Sequence, residues 1–400
     1  MDSNDNPKKI TLLTAIIVGM NAMIGIGIAA IPTILADQVG PAGILSCLFS
    51  IFLILCIGLS LARAAEIFPG AGWNYLYPSK WGGHKIGMIA SSFYILAVIA
   101  AMGFLTQQAG IWCSTFIPFI IPKYLGIIII FILMLFVIAG AQASSFVQYL
   151  IAGCVLIPLG STAFYCWFNF DSSLVTPFMP QGISSIFHAV PSIVFAFGGF
   201  ESIISLYAIL DNPKKNIPRA FVFSIVGVGI IYIFFFYGIL FAIPNTFFVG
   251  GLNTTLFHVL KGYFPQAKIL ATFVLFGAVF GIIGTLHSMI WSLSTLFTSV
   301  LKITKSKFVH NALDKNIWNN KVSVILTTVA IALTSLFIRG EALPPLTSLF
   351  IISTYVLSIM ALLFVRQEWK SGHNIITVLG LITGFFMIYI AGLKVLDVLL

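Results

Sequence analysis

Val194-Phe195-Ala196-Phe197-Gly198-Gly199-Phe200-Glu201-Ser202 interrupts an apolar run over residues 185–209 near its middle. Each helical glycine costs ~1 kcal/mol against alanine, and the glutamate that follows has apolar neighbours on both sides for most of a helix length. A bilayer core takes ~20 mainly apolar residues to cross, so the run reads as a membrane helix broken at mid-depth. Backbone that leaves the helical ladder there is tolerated only where it faces protein or a wet cavity. An ionisable side chain at that depth is a functional candidate by default.

The rest of the chain agrees with a membrane location. Its 400 residues are 60% hydrophobic and only 8% charged, where a soluble domain carries about 25% charged residues. The 38 phenylalanines exclude a disordered chain. Unbroken apolar runs such as Ile127 to Ala139 exclude the alternating pattern of a β-barrel. The predicted fold class is an all-α integral membrane protein with about eleven transmembrane helices. They lie near 11–35, 42–65, 86–112, 124–142, 146–168, 185–209, 220–243, 268–301, 322–338, 343–365 and 375–394. Alternating the loops puts fifteen lysines and arginines on the side of the N-terminus and five opposite. By the positive-inside rule the N-terminus is cytoplasmic, as for a multi-pass protein of the plasma or bacterial inner membrane. The net charge of +9 thus reflects topology and not a nucleic-acid partner. The basic loop from Lys302 to Lys321 suits contact with anionic membrane lipid.

The first segment carries a matching interruption, Gly19-Met20-Asn21-Ala22-Met23-Ile24-Gly25-Ile26-Gly27-Ile28, with Pro32 beyond it. Breaks in the first and sixth segments are the expected signature of a secondary transporter built as a five-plus-five inverted repeat. The corresponding division is a tail over 1–10, a first repeat over 11–168, a second over 185–365 and an extra helix over 375–397. Half-helix N-termini suit a substrate carboxylate, and unwound carbonyls suit an ammonium or a cation.

Four stretches resemble the amino acid–polyamine–organocation superfamily of transporters. The helix-one core Ile24-Gly25-Ile26-Gly27-Ile28 with Pro32 resembles its Gly-x-Gly signature. Glu66-Ile67-Phe68-Pro69-Gly70-Ala71-Gly72-Trp73-Asn74-Tyr75-Leu76-Tyr77 resembles the pattern after helix two, with Trp73 in place of its second glycine. Phe195-Ala196-Phe197-Gly198-Gly199-Phe200-Glu201 resembles the helix-six core, and Asn212-Pro213-Lys214-Lys215-Asn216-Ile217-Pro218-Arg219-Ala220 the loop beyond it. The resemblance implies alternating access on amino acids or related amines. It further implies a substrate carboxylate on the backbone of Gly25, Ile26 and Gly27, and an ammonium on carbonyls near Phe195, Ala196 and Phe197, with Phe195 or Phe197 as the outer aromatic gate. Where some members carry a lysine in helix five, this chain has Val155.

The expected substrate contacts are therefore Ile24, Gly25, Ile26, Gly27, Phe195, Ala196, Phe197, Gly198 and Gly199. Glu201 is assigned to proton coupling or to locking helix six. Asn21, Ala97, Val98, Met102, His287, Met289 and Trp291 are candidate pathway liners, His287 and Trp291 because with Ser294 they share a helix face. Gln107 and Gln108 are placed near the outer mouth, and Trp73, Trp81 and Trp112 are read as interfacial anchors. The functional expectation is a permease for a neutral or weakly polar amino acid, working by proton symport or exchange. The alternatives are a polyamine or cationic amino acid or amine antiporter, and a non-transporting membrane sensor or assembly protein. The chain is not expected to be an enzyme or to hold a metal or other cofactor, a coupling proton being favoured over sodium. No nucleotide-binding loop, metal-ligand cluster or nucleophile–base spacing is present, and the five cysteines stand singly in apolar runs.

Overall fold

The structure, a computed structural model, describes residues 9–25, 27–69, 72–139, 145–207, 210–248, 255–303, 320–364 and 371–399. Its helices are α1 (Leu12–Met23), α2 (Gly27–Gln38), α3 (Gly43–Ile67), α4 (Trp73–Cys113), α5 (Pro122–Ile138), α6 (Ser145–Phe168), α7 (Ser184–His188) and α8 (Val190–Ala196). They continue as α9 (Ser202–Ser205), α10 (Pro213–Leu240), α11 (Leu256–Tyr263), α12 (Lys268–Ile303), α13 (Asn320–Phe337), α14 (Leu343–Phe364) and α15 (Ser371–Leu399). Among the described residues there is no strand, only a parallel bridge between Ile10 and Leu210.

Among the described residues six helices are long and apolar enough to cross a membrane, and five shorter apolar helices accompany them. Together they coincide with the eleven segments read from the sequence. The first segment is α1 and α2 with a break between them. The sixth is α7, α8 and α9, the last two separated by the Phe197–Glu201 turn region. The broken helices are thus the first and the sixth of the bundle.

Lipid supplies no hydrophobic drive for one helix to meet another, so close packing and internal hydrogen bonds decide the arrangement. α14 lies along α4 and α15, α10 along α3 and α1, and α12 along α6 and α4. The largest buried side chains are aromatic, among them Trp112, Tyr77, Tyr232, Tyr355, Phe200 and Phe221. Phe119, Phe168 and Phe337 point outward instead, each at least four-fifths exposed on the protein surface, as a lipid-facing side chain would.

The anchor reading of the tryptophans is corrected. Trp73 and Trp112 are buried at 3% and 1% exposure, because neighbouring parts of the bundle enclose them. Trp81 is half-buried and donates from Nε1 to the Leu357 carbonyl at 2.9 Å. Gln107 is corrected likewise: its Nε2 donates to the carbonyls of Ser335 and Ile338 at 2.8 and 2.9 Å. It closes the C-terminal end of α13, whose last carbonyls have no partner within the helix, so this amide is committed to structure.

Candidate functional site

The two breaks lie against each other, and glycine is what permits it. At Gly199 the backbone takes φ +109°, and a Cβ there would stand 2.7 Å from the Ala22 carbonyl oxygen at the end of α1. At Gly27, the first residue of α2, a Cβ would stand 2.6 Å from the Ala196 Cβ at the end of α8. Side chains at these two points would separate the halves that the fold brings together.

One side chain joins the broken ends. The Tyr232 hydroxyl on α10 lies 2.8 Å from the carbonyl oxygen of Met23 and 2.8 Å from that of Ala196. These are the last helical residues of α1 and α8, whose terminal carbonyls need a donor from outside the helix. Tyr232 is fully buried and its ring meets Phe197 edge-on at 5.2 Å.

Glu201 follows immediately after the second break and is 2% exposed. Its Oε2 accepts from the Tyr355 hydroxyl at 2.7 Å and from the Gly199 N–H at 3.0 Å. Its Oε1 accepts from the Tyr94 hydroxyl at 3.1 Å. A carboxyl buried without partners would be costly; this one is met by three donors and ties the break to α14 and α4.

Between these groups is a cavity whose space, counted with its open mouth, is about 600 Å³. Ala22, Met23, Gly25, Gly27, Phe195, Ala196, Gly198 and Gly199 contribute from the two broken segments. Tyr94, Ala97, Val98, Ala101, Met102 and Leu105 form the α4 wall, Thr285 and Met289 the α12 wall, and Thr347 and Ile351 the α14 wall, with Glu201 at one end. Among the described residues that line it there is no lysine, arginine or histidine. The hydroxyls are engaged within the protein: Thr285 donates to the Gly281 carbonyl and Thr347 to that of Leu343, at 2.8 and 2.9 Å.

Of the residues singled out from sequence, Gly25, Gly27, Phe195, Ala196, Gly198, Gly199, Glu201, Ala97, Val98, Met102 and Met289 border this cavity. Ile26 lies outside the described residues. Ile24 and Phe197 are buried in packing away from the lining, so of the two candidate gate aromatics Phe195 is the one that faces the cavity. Its ring meets Phe104 edge-on at 5.3 Å. Asn21 is half-buried on α1 and does not border the cavity.

His287 and Trp291 are a correction. Trp291 is 47% exposed on the outer surface, and His287 lies outside the lining. The face that α12 presents to the cavity carries Thr285 and Met289, four residues apart. A two-residue offset turns a helix by about 200°, which carries 287 and 291 away from it. Tyr94, Tyr232, Tyr355, Thr285 and Thr347 were not singled out from the sequence. The available signal was the tyrosines: hydroxyls in otherwise apolar runs, each needing a partner once buried.

Among the described residues no three or more His, Cys, Asp or Glu side chains are grouped to hold a metal.

Comparison with known proteins adds the family. The aspartate-proton symporter of Bacillus subtilis (strain 168) is 26% identical over 244 residues, which are 56% of this chain and 46% of that protein. The branched-chain amino acid permease BcaP of the same organism is 24% identical over 245 residues, 54% of this chain and 51% of that one. The chain spans about half the length of the curated relatives it matches. The crystal structure of MhsT in complex with L-phenylalanine has the same fold, with a TM-score of 0.69 at 14% identity over 96% of this chain and 98% of that one. The family model described as amino acid permease matches residues 10–396. With its broken first and sixth helices facing one cavity, this chain belongs to the amino acid permease family, within the amino acid–polyamine–organocation superfamily.

Proposed function

We propose that the protein is a secondary carrier for a neutral, mainly apolar amino acid, with the substrate held between the two helix breaks. One observation carries this reading: the cavity is lined by the backbone of both breaks and by apolar side chains, and its carboxylate is already met by three donors. A substrate carboxylate finds no cationic side chain in the lining, so its counterpart is the N-terminal end of α2, where free N–H groups and the helix dipole favour an anion. The substrate ammonium faces the C-terminal end of α8, where the helix dipole favours a cation. The side chain then lies among Ala97, Val98, Met102, Phe195 and Met289.

The relatives' names carry different substrates, aspartate for one and branched-chain amino acids for another. The apolar lining fits the second kind. An acidic side chain would enter without a cationic partner, and a polyamine would need carboxylates beyond one that is already hydrogen-bonded. Transport proceeds by rocking of helices around the fixed site, coupled to a proton or to a counter-moving amino acid and not to sodium. The charge bias of the loops supports a cytoplasmic N-terminus in the cell membrane.

A thermal-shift screen of purified protein against the twenty amino acids and common polyamines tests the substrate class. Stabilisation by leucine, isoleucine, valine, methionine or phenylalanine is expected. Stabilisation confined to aspartate and glutamate, or to polyamines, would overturn the assignment.

A further inference from the structure

Trp73 meets the tyrosines that hold Glu201, yet it does not border the cavity. It is the first residue of α4 and is 3% exposed. Its ring lies 5.3 Å from Tyr94, edge-on at 81°, and 5.7 Å from Tyr355 at 36°. Phe200 contacts the Tyr355 ring as well, at 5.3 Å. The hydroxyls of Tyr94 and Tyr355 reach Glu201 only while their rings keep these positions, and Trp73 is a ring common to both.

The segment that carries Trp73 is set off by two glycines. α4 is not one straight helix: Gly83 takes φ 65° and ψ −165°, outside the helical region, and separates an arm over residues 73–82 from the long span that follows. Gly72, just before the arm, takes φ 79° and ψ 33°. Both glycines are left-handed, and neither has any atom within 4 Å of where a Cβ would stand. The arm is thus bounded at each end by a glycine in a backbone conformation that other residues rarely adopt.

Between those glycines it grips α14 with two tryptophans. Trp73 does so at Tyr355, while Trp81 donates to the Leu357 carbonyl and stacks on Phe364 at 5.5 Å and 8°. Across Gly83, the Tyr75 hydroxyl and His84 Nδ1 are hydrogen-bonded at 3.0 Å.

We propose that Trp73 is a positioning residue of the transport cycle: seated, it holds Tyr94 and Tyr355 on Glu201, and when the arm swings about Gly72 and Gly83 it releases them and opens the Glu201 end of the cavity. The inference rests on the carrier reading above and deepens it. The arm becomes the moving part on that side, and Trp73 the contact through which its position reaches the site.

The test uses the full-length protein with its five cysteines replaced by alanine and one thiol introduced by Ser358→Cys. Ser358 is buried on α14 one turn from Tyr355. Modification by a membrane-impermeant methanethiosulfonate is followed from each side of oriented vesicles, in parallel with uptake kinetics and equilibrium binding. Trp73→Ala is expected to raise the modification rate from one side at least tenfold. Its Vmax should fall at least fivefold while binding stays within threefold, and Trp73→Phe should restore both rates. Unchanged thiol access in folded Trp73→Ala, or failure of Trp73→Phe to restore it, would overturn the proposal. If Trp73→Ala does not fold, Gly83→Ala serves instead: its Cβ enters open space but its backbone cannot keep φ 65°, so the arm must shift and access must rise. Unchanged access there overturns the proposal too. Thiol access that responds without flux of any amino acid would sink the carrier reading and leave the coupling standing. Flux with no change in access would sink the coupling alone.

Discussion

Removing the Glu201 carboxyl tests the account of the second break at its most loaded point. Three buried donors converge on it: the Tyr355 hydroxyl at 2.7 Å, the Gly199 N–H at 3.0 Å and the Tyr94 hydroxyl at 3.1 Å. Glu201→Ala leaves all three without an acceptor. A buried donor left unpaired costs ~1–3 kcal/mol. Tyr94 and Gly199 border the cavity, where water can replace the lost partner, so Tyr355 alone bears the full cost. The expected loss is roughly 1–3 kcal/mol. Tyr355→Phe removes a single bond to the carboxyl and should cost about 1.5–3 kcal/mol, and Tyr94→Phe, with the longer bond beside the cavity, less. Glu201→Gln keeps the volume and one acceptor oxygen, so it should fall between wild type and Glu201→Ala.

The assay is thermal or denaturant unfolding in detergent, with Glu201→Ala and Tyr355→Phe combined in a double-mutant cycle. If Tyr355 acts through Glu201, the combined loss falls short of the sum by about 0.5–3 kcal/mol. Additive losses within ~0.5 kcal/mol, or a Glu201→Ala variant as stable as wild type, would refute the role given to this carboxyl.

Other predictions rest on separate parts of the structure. Gly199→Ala must accommodate a Cβ at φ +109° and 2.7 Å from the Ala22 oxygen. It is expected to lose about 1–3 kcal/mol and most substrate binding, measured by thermal shift, whereas Gly198→Ala, whose φ is not left-handed, should be milder; equal effects would contradict the packing of the breaks. Gln107→Ala uncaps α13 and should cost roughly 1–2 kcal/mol without changing the KM for uptake, and a raised KM with unchanged stability would return this residue to the substrate path. On α11, His258 Nδ1 lies 2.7 Å from the Thr255 hydroxyl, and burial, then the nearby Lys261, holds its pKa below the ordinary histidine value. The folded state therefore favours the neutral ring: this contribution is present above about pH 6.5 and is lost as the pH falls through the folded pKa. Hydrogen exchange over 256–263, corrected for intrinsic rate, should accelerate toward pH 5 in wild type and less in His258→Gln; identical profiles would refute it.

Much of this was legible in the sequence, and the parts that were not have physical reasons. The eleven spans follow from run length alone, and the two breaks from glycines placed where a helix would not choose them. Glu201 stood out because ten of the eleven acids fall at predicted loops or interfaces and this one does not. Its partners could not be read: Tyr94 and Tyr355 lie 107 and 154 residues away, and no local pattern links them. The same holds for Tyr232, whose hydroxyl meets carbonyls 209 and 36 residues away. The rotation of α12 was misread for a different reason. A helix that is apolar nearly all round carries little moment, so polar His287 and Trp291 suggested an inner face when Thr285 and Met289 supply it. Trp73 and Trp112 misled because a tryptophan near a helix end anchors at an interface only if nothing covers it.

The central claim is carriage of a neutral, mainly apolar amino acid through the cavity between the two breaks. Uptake of radiolabelled leucine into liposomes holding the purified full-length chain tests it most directly, with an imposed pH gradient in one arm, unlabelled leucine preloaded in a second and a sodium gradient in a third. The account predicts saturable uptake driven by the first or the second arm, indifferent to sodium, and abolished by Gly199→Ala. Uptake in none of the arms for leucine or any other neutral amino acid, or uptake that requires sodium, would contradict it.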